Sequence, residues 1–147
     1  MKPDPFAIAF EAARAAAAAQ EVPVGAVIMR DGAIIATGAN RTLRDKDPTA
    51  HAEMIAIRDA CRVLGSERLP ECNLYVTLEP CAMCAAAISF ARIRRLYFCA
   101  DDPKGGAVEH GPRFFSQPTC HHAPEVYGGI RESEAAAMLR DFFQSRR

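Results

Sequence analysis

Four residues in two short runs carry groups that could work on one reaction. They are His51 and Glu53 in Thr49-Ala50-His51-Ala52-Glu53, and Cys81 and Cys84 in Pro80-Cys81-Ala82-Met83-Cys84. Cysteines three positions apart share a helix face and can grip one ion as thiolates. His51 offers a neutral imidazole as the third ligand. Three protein ligands leave the fourth tetrahedral position of zinc open to water, which marks a catalytic rather than a structural site. Such an ion draws the pKa of water from about 16 toward about 7, so hydroxide is available at neutral pH. Glu53 is then at hand to carry protons. Taken alone, C-x-x-C also occurs in redox dithiols and in halves of structural zinc modules, and a lone histidine is usually just packed. A structural site would show a fourth Cys or His at close spacing and has no use for Glu53, so the four residues together read as a metal-assisted hydrolytic centre.

The spacing constrains what must hold these groups. Positions two apart do not share a helical face, so His51 and Glu53 can converge only at a helix end. Thr49, after Pro48, is the expected N-cap of a helix from about Ala50 to Leu64, with Met54, Ile57, Cys61 and Leu64 on one stripe and Gly65 as its stop. Pro80 suits a strand-to-helix turn into a helix over Cys81–Ala91. Two positive helix ends would then face the thiolates and help keep them deprotonated.

The remaining elements follow from periodicity. Phe6, Ile8 and Phe10 lead into an alanine run, which predicts a helix from Pro5 to Gln20. Val22–Met29 and Ala33–Thr37 are β-branched runs joined by Asp31-Gly32, the dipeptide of a type I′ hairpin turn. Strands at Asn73–Leu78 and Leu96–Ala100 flank the cysteine helix, so they should be parallel neighbours with a right-handed crossover. A last helix over Glu132–Ser145 carries Ala135, Met138, Leu139, Phe142 and Phe143 on one side. The class is α/β, with helices on both faces of one sheet. Between Asp101 and Glu125 lies a long, poorly periodic segment, and such segments are usually functional or disordered. Phe114 and Phe115 argue for order there. Cys120, His121 and His122 could with His110 form a second metal site, but no regular element surrounds them.

At 147 residues, half of them apolar, the chain is read as one domain spanning 1–147. It contains no apolar run of membrane-spanning length and no basic, leucine-rich start of a secretory signal, so a cytoplasmic protein with no membrane partner is expected. Cys61, Cys72, Cys99 and Cys120 are scattered and read as reduced thiols. Net charge is zero, whereas many nucleic-acid binders are basic. Most of the positive charge is arginine, grouped at Arg41 and Arg44, at Arg92, Arg94 and Arg95, and at Arg146 and Arg147, and arginine's planar fork suits phosphate contacts.

Asp47-Pro48-Thr49-Ala50-His51-Ala52-Glu53 and Leu78-Glu79-Pro80-Cys81-Ala82-Met83-Cys84 resemble the zinc-dependent cytidine deaminase superfamily, and within it the bacterial tRNA-specific adenosine deaminases. The resemblance continues through Val22–Val27, Asn40-Arg41, Tyr75–Leu78, Ala91–Ile93, Asp102–Gly106 and Asp141–Phe143. It implies a three-layer α/β/α cytidine deaminase-like fold around a central mixed sheet. It also implies one Zn2+ per subunit on His51, Cys81 and Cys84, with Glu53 as the catalytic residue. The implied reaction is hydrolytic deamination of adenosine to inosine at the wobble position of a tRNA anticodon, an arginine tRNA first. The implied partners are the tRNA anticodon stem-loop and a second copy of the chain. The helix over Ala82–Ala91 and the Arg92-Ile93-Arg94 segment would be the material of that homodimer.

By the same resemblance Asn40, Ala52, Leu78, Asp102 and Lys104 become substrate contacts. The bland readings are a turn residue for Asn40 and a solvated turn for Asp102 and Lys104. Of Phe142 and Phe143 one should pack, leaving Phe143 to touch RNA. A deaminase of a free nucleobase or nucleoside, of guanine, cytosine or triazine type, would need the same metal ligands, and a non-catalytic zinc-stabilised RNA-binding subunit would not need Glu53. One residue departs from the family pattern. Cys99 stands where the family usually has glycine, and it either changes local packing or adds an oxidation-prone thiol near the pocket.

Overall fold

The computed structural model describes residues 2–146, so Arg147 of the C-terminal arginine pair lies outside the described residues. Asp4 caps the first helix, α1 (Pro5–Ala18), by accepting from the backbone N–H groups of Phe6 and Ala7. Strands β1 (Gly25–Arg30) and β2 (Ala33–Ala39) form the expected hairpin, with Asp31 and Gly32 at φ 52° and 77°. β1 starts three residues later than the apolar pattern suggests. Pro23 has no N–H for a ladder, and Val24 instead bonds back to the Val22 carbonyl.

Helix α2 (Ala52–Leu64) leads to β3 (Asn73–Leu78), then α3 (Ala82–Phe90), β4 (Arg95–Ala100), β5 (Glu125–Tyr127) and α4 (Glu132–Gln144). The sheet order is β2-β1-β3-β4-β5. β1 is antiparallel to both neighbours, and β3, β4 and β5 run parallel, so the sheet is mixed. β5 was not legible in the sequence. It is three residues long and only partly buried, too short to show alternation, and it is fixed by pairing with β4 and by the Arg95–Glu125 ion pair at 2.9 Å.

β1 is apolar on both faces because both faces are covered. Ala26 and Ile28 join Leu74, Val76, Leu96 and Phe98 under Ala52, Ala56, Ile57 and Ala60 of α2 and Ile88 of α3. Val27 and Met29 meet Ala9 of α1, and Phe10 of α1 packs with Cys99, Ala100 and Ala135 of α4. The result is the expected α/β/α sandwich. A Cβ at Gly25 would strike the Ala9 carbonyl and one at Gly38 the Ala52 carbonyl, so two helices lie almost directly on the hairpin. The alanines of α1 permit that approach, which accounts for a run that otherwise looks like low complexity. Among the described residues no helix is long and apolar enough to cross a membrane.

Candidate metal centre and substrate pocket

The starts of α2 and α3 come together at one end of the sheet. His51 is the N-cap of α2 (φ −75°, ψ 156°) and Cys81 the N-cap of α3 (φ −75°, ψ 178°). Thr49 therefore does not cap the helix, contrary to the sequence reading. Its N–H and hydroxyl both donate to Asp47 Oδ1, at 2.8 and 2.7 Å, which closes a separate turn two residues upstream. Neither His51 nor Cys81 folds its side chain back over its helix. Released from capping, the two point at each other.

His51 Nδ1 lies 3.6 Å from Cys81 Sγ and 3.5 Å from Cys84 Sγ, and the three atoms fall within 4.8 Å of one another. A tetrahedral zinc with bonds of about 2.3 Å to sulfur and about 2.0–2.1 Å to nitrogen requires N···S separations of about 3.6 Å. The donor set fits that ion without rearrangement. The electrostatics agree. Cys81 is pushed down to about 4, first by the hydrogen bond from Cys84 with burial opposing, while contact with Cys81 and burial push Cys84 up. Two sulfurs that share one proton beside an imidazole are ligands from which a divalent cation would displace that proton.

Glu53 sits in the first turn of α2 beside this cradle and is 4% exposed. Burial pushes its carboxyl up to about 7. A cavity of about 280 Å³ opens onto these groups and is lined by Asn40, His51, Glu53, Leu78, Cys81 and Asp102 among others. Three of the six expected substrate contacts thus line it. Asn40 Oδ1 accepts the Ala52 N–H at 2.8 Å and so satisfies the first donor of α2 that His51 leaves unpaired. The Ala52 side chain is in the core. Lys104 lies in an exposed turn whose N–H bonds Asp102 Oδ1, away from the cavity lining. Phe142 packs and Phe143 is 51% exposed, in a cleft it shares with Ala100 and Asp101.

The sequence reading missed two buried carboxylates. Glu79 accepts the N–H groups of Asp102, Val108, Glu109 and His110, and lies 2.8 Å from His110 Nδ1. Glu21 accepts from the N–H groups of Leu43 and Arg44 and from Arg44 Nε. Burial alone would raise both, but these donors outweigh it and hold both below the usual carboxylate value. A charge at the end of an apolar strand, as in Thr77-Leu78-Glu79-Pro80, was the available signal.

Other candidates are used elsewhere. His122 Nε2 bonds the Ile93 carbonyl, Cys120 lies against Ser89 and the His122 carbonyl, and His110 pairs with Glu79. Among the described residues no second group of three metal-type ligands forms. Arg44 pairs with Glu21, Arg41 with Asp45, and Arg146 stacks over Phe142 at 3.5 Å while bonding Gln20. Cys99 is fully buried against Phe10 and Ala135, and burial pushes its thiol up to about 12. It is a packing residue, and the oxidation-prone alternative does not hold.

The family model of the cytidine and deoxycytidylate deaminase zinc-binding region matches residues 4–100, which include Glu53 and all three residues of the cradle. A tRNA-specific adenosine deaminase of Agrobacterium fabrum is 64% identical over 140 residues, covering 95% of this chain and 92% of that protein. A solved structure from studies of A-to-I editing by tRNA:A34 deaminases superposes with a TM-score of 0.91 at 64% identity, over 92% of this chain and 98% of that one. A guanine deaminase of Bacillus subtilis is more distant, with a TM-score of 0.66 at 34% identity over 97% and 91% of the two chains. By cradle, fold and likeness, the chain belongs to the cytidine and deoxycytidylate deaminase zinc-binding family, on the branch of the tRNA-specific adenosine deaminases.

Proposed function

We propose that the protein hydrolytically deaminates adenosine to inosine at the wobble position of a tRNA anticodon, with an arginine tRNA as the first substrate, and that residues 1–147 work as one deaminase domain. The observation that carries the reading is Glu53, a buried carboxylate that lines the same small cavity as His51 and Cys81. When bound, one zinc per subunit makes a water nucleophilic at neutral pH. Glu53, raised to about 7, can both take and release a proton near neutrality. It removes a proton from the attacking water and delivers it to ring nitrogen N1, then moves the remaining proton from the new C6 hydroxyl to the amine, which leaves as ammonia while C6 becomes a carbonyl.

The cavity, about 280 Å³, is at the small end of ligand sites and has room for one nucleobase. A loop base must therefore leave its stack, at a cost that is lowest for unpaired nucleotides. Asn40, Leu78 and Asp102 contact the inserted base or its ribose. Ala52 supports them by anchoring the Asn40 amide, while Lys104 and Phe143 meet flanking nucleotides outside the cavity. Phe90 of α3 is 70% exposed just before Arg92-Ile93-Arg94, which supports a homodimer through that face. Action on tRNA supports a cytoplasmic location.

Incubation with an arginine tRNA, read by sequencing, should convert adenosine to inosine at the wobble position alone. The guanine deaminase likeness supports a second reading, a free-nucleobase deaminase. Ammonia released from guanine, cytosine or a triazine but not from an anticodon stem-loop would replace the first reading with the second.

A further inference from the structure

Glu21 and Glu79 are 1% and 2% exposed, and neither is in the metal cradle. A carboxylate this deep needs donors, and helix or strand partners would have served. The partners here are the backbone N–H groups of two irregular loops instead. Glu79 holds residues 102–110, which bring Asp102 and Gly105 to the cavity, and Glu21 holds residues 42–44, which bring Thr42 to it. The fit at Glu79 is tight, since a Cβ at Gly106 would strike its carboxyl group.

We infer that Glu79 is a positioning residue for the substrate. Its carboxylate sets the conformation of the 102–110 loop and so holds Asp102 and Gly105 against the inserted base, and Glu21 does the same for Thr42. This inference rests on the deamination reading above. Loosening a wall of the pocket weakens base binding but leaves Glu53 and the cradle in place. The consequence is a higher KM at nearly constant kcat. Loss of folded protein would do the reverse, lowering apparent kcat at constant KM.

The test measures kcat and KM on an anticodon stem-loop for the zinc-loaded wild type, Glu79→Gln, His110→Ala and the double variant. Zinc content and the rate of tryptic cleavage after Lys104 without RNA are followed alongside. Glu79→Gln keeps the volume but turns an amide toward N–H groups, so KM should rise about tenfold, with kcat within about twofold. His110→Ala removes a part-exposed side chain that lies 2.8 Å from Glu79 and 3.6 Å from Asp101, and should raise KM about threefold without threatening the fold. The double variant should be little worse than Glu79→Gln, because the two changes share the Glu79–His110 contact. Zinc should stay bound, and cleavage after Lys104 should quicken.

Unchanged KM and unchanged cleavage in His110→Ala and Glu79→Gln, or a fall in kcat at constant KM, would overturn the proposal. If Glu79→Gln does not fold, His110→Ala alone decides. A wild type inactive on the stem-loop defeats the substrate reading instead, while faster cleavage after Lys104 in the variants would still support the hold of Glu79 on its loop.

Discussion

The catalytic groups and the pocket walls are built over very different distances along the chain. His51 and Glu53 are two residues apart and Cys81 and Cys84 three, each pair at the first turn of a helix whose far side is in the core. Glu79 reaches partners 23 to 31 residues away, and Glu21 partners 21 to 23 away, all of them in loops. Helix starts are rigid because a packed sheet lies under them. The loops are tied by scattered backbone bonds, such as Ala107 N–H to the Pro80 carbonyl at 2.9 Å, and side-chain oxygens take the place of further ladder partners. Within this one site, therefore, the chemistry depends on secondary structure and the recognition of substrate on buried charge.

That contrast can be broken at its strong side first. Chelation, or Cys81→Ala, should abolish turnover and lower the melting temperature together, since binding energy of the metal is also folding energy. Readdition of zinc should restore the chelated wild type. Activity that survives complete demetallation would remove the cradle from the mechanism. Glu53→Ala should cut single-turnover rate by about 10³-fold or more while zinc content and melting temperature hold, because only proton transfer is lost. Near-wild-type turnover in that variant would overturn the role of Glu53.

The loop side should show itself in pH. Glu21 is held below the ordinary carboxyl value of 4.5, so the folded state binds its proton more weakly than the unfolded state. Its stabilisation is complete above that value and is lost as pH falls through the lower folded one. His110 is raised above 6.5 by its bond to Glu79, so its contribution is complete below that value and is lost as pH rises through the folded one. Melting temperature followed over pH should thus fall on both flanks. Glu21→Gln should flatten the acid flank and His110→Ala the alkaline one, and unaltered flanks would contradict the assigned contacts. The smallest effect is expected at Cys99→Ala, which should cost about 1 kcal/mol in urea unfolding and leave kcat and KM alone. A kinetic effect there would link this packing residue to the pocket.

Much of this protein was legible in its residues because the relevant signals are short in range. Asp31-Gly32 specifies its turn through local backbone preference, H-x-E and C-x-x-C place four groups at helix starts, and a strand, a helix and a strand between Asn73 and Ala100 dictate a parallel pair. The tertiary structure decided the rest. It made His51 and not Thr49 the N-cap, because Asp47 takes the threonine hydroxyl. It added β5, which exists only by pairing with β4. It tied Arg44, Arg95 and Arg146 to partners distant in sequence, and gave Glu21 and Glu79 their loops. The sequence announces which residues can act on one another within a turn of helix. A bond between positions twenty or more residues apart has no local preference to announce it, and arises only when packing brings its two ends together.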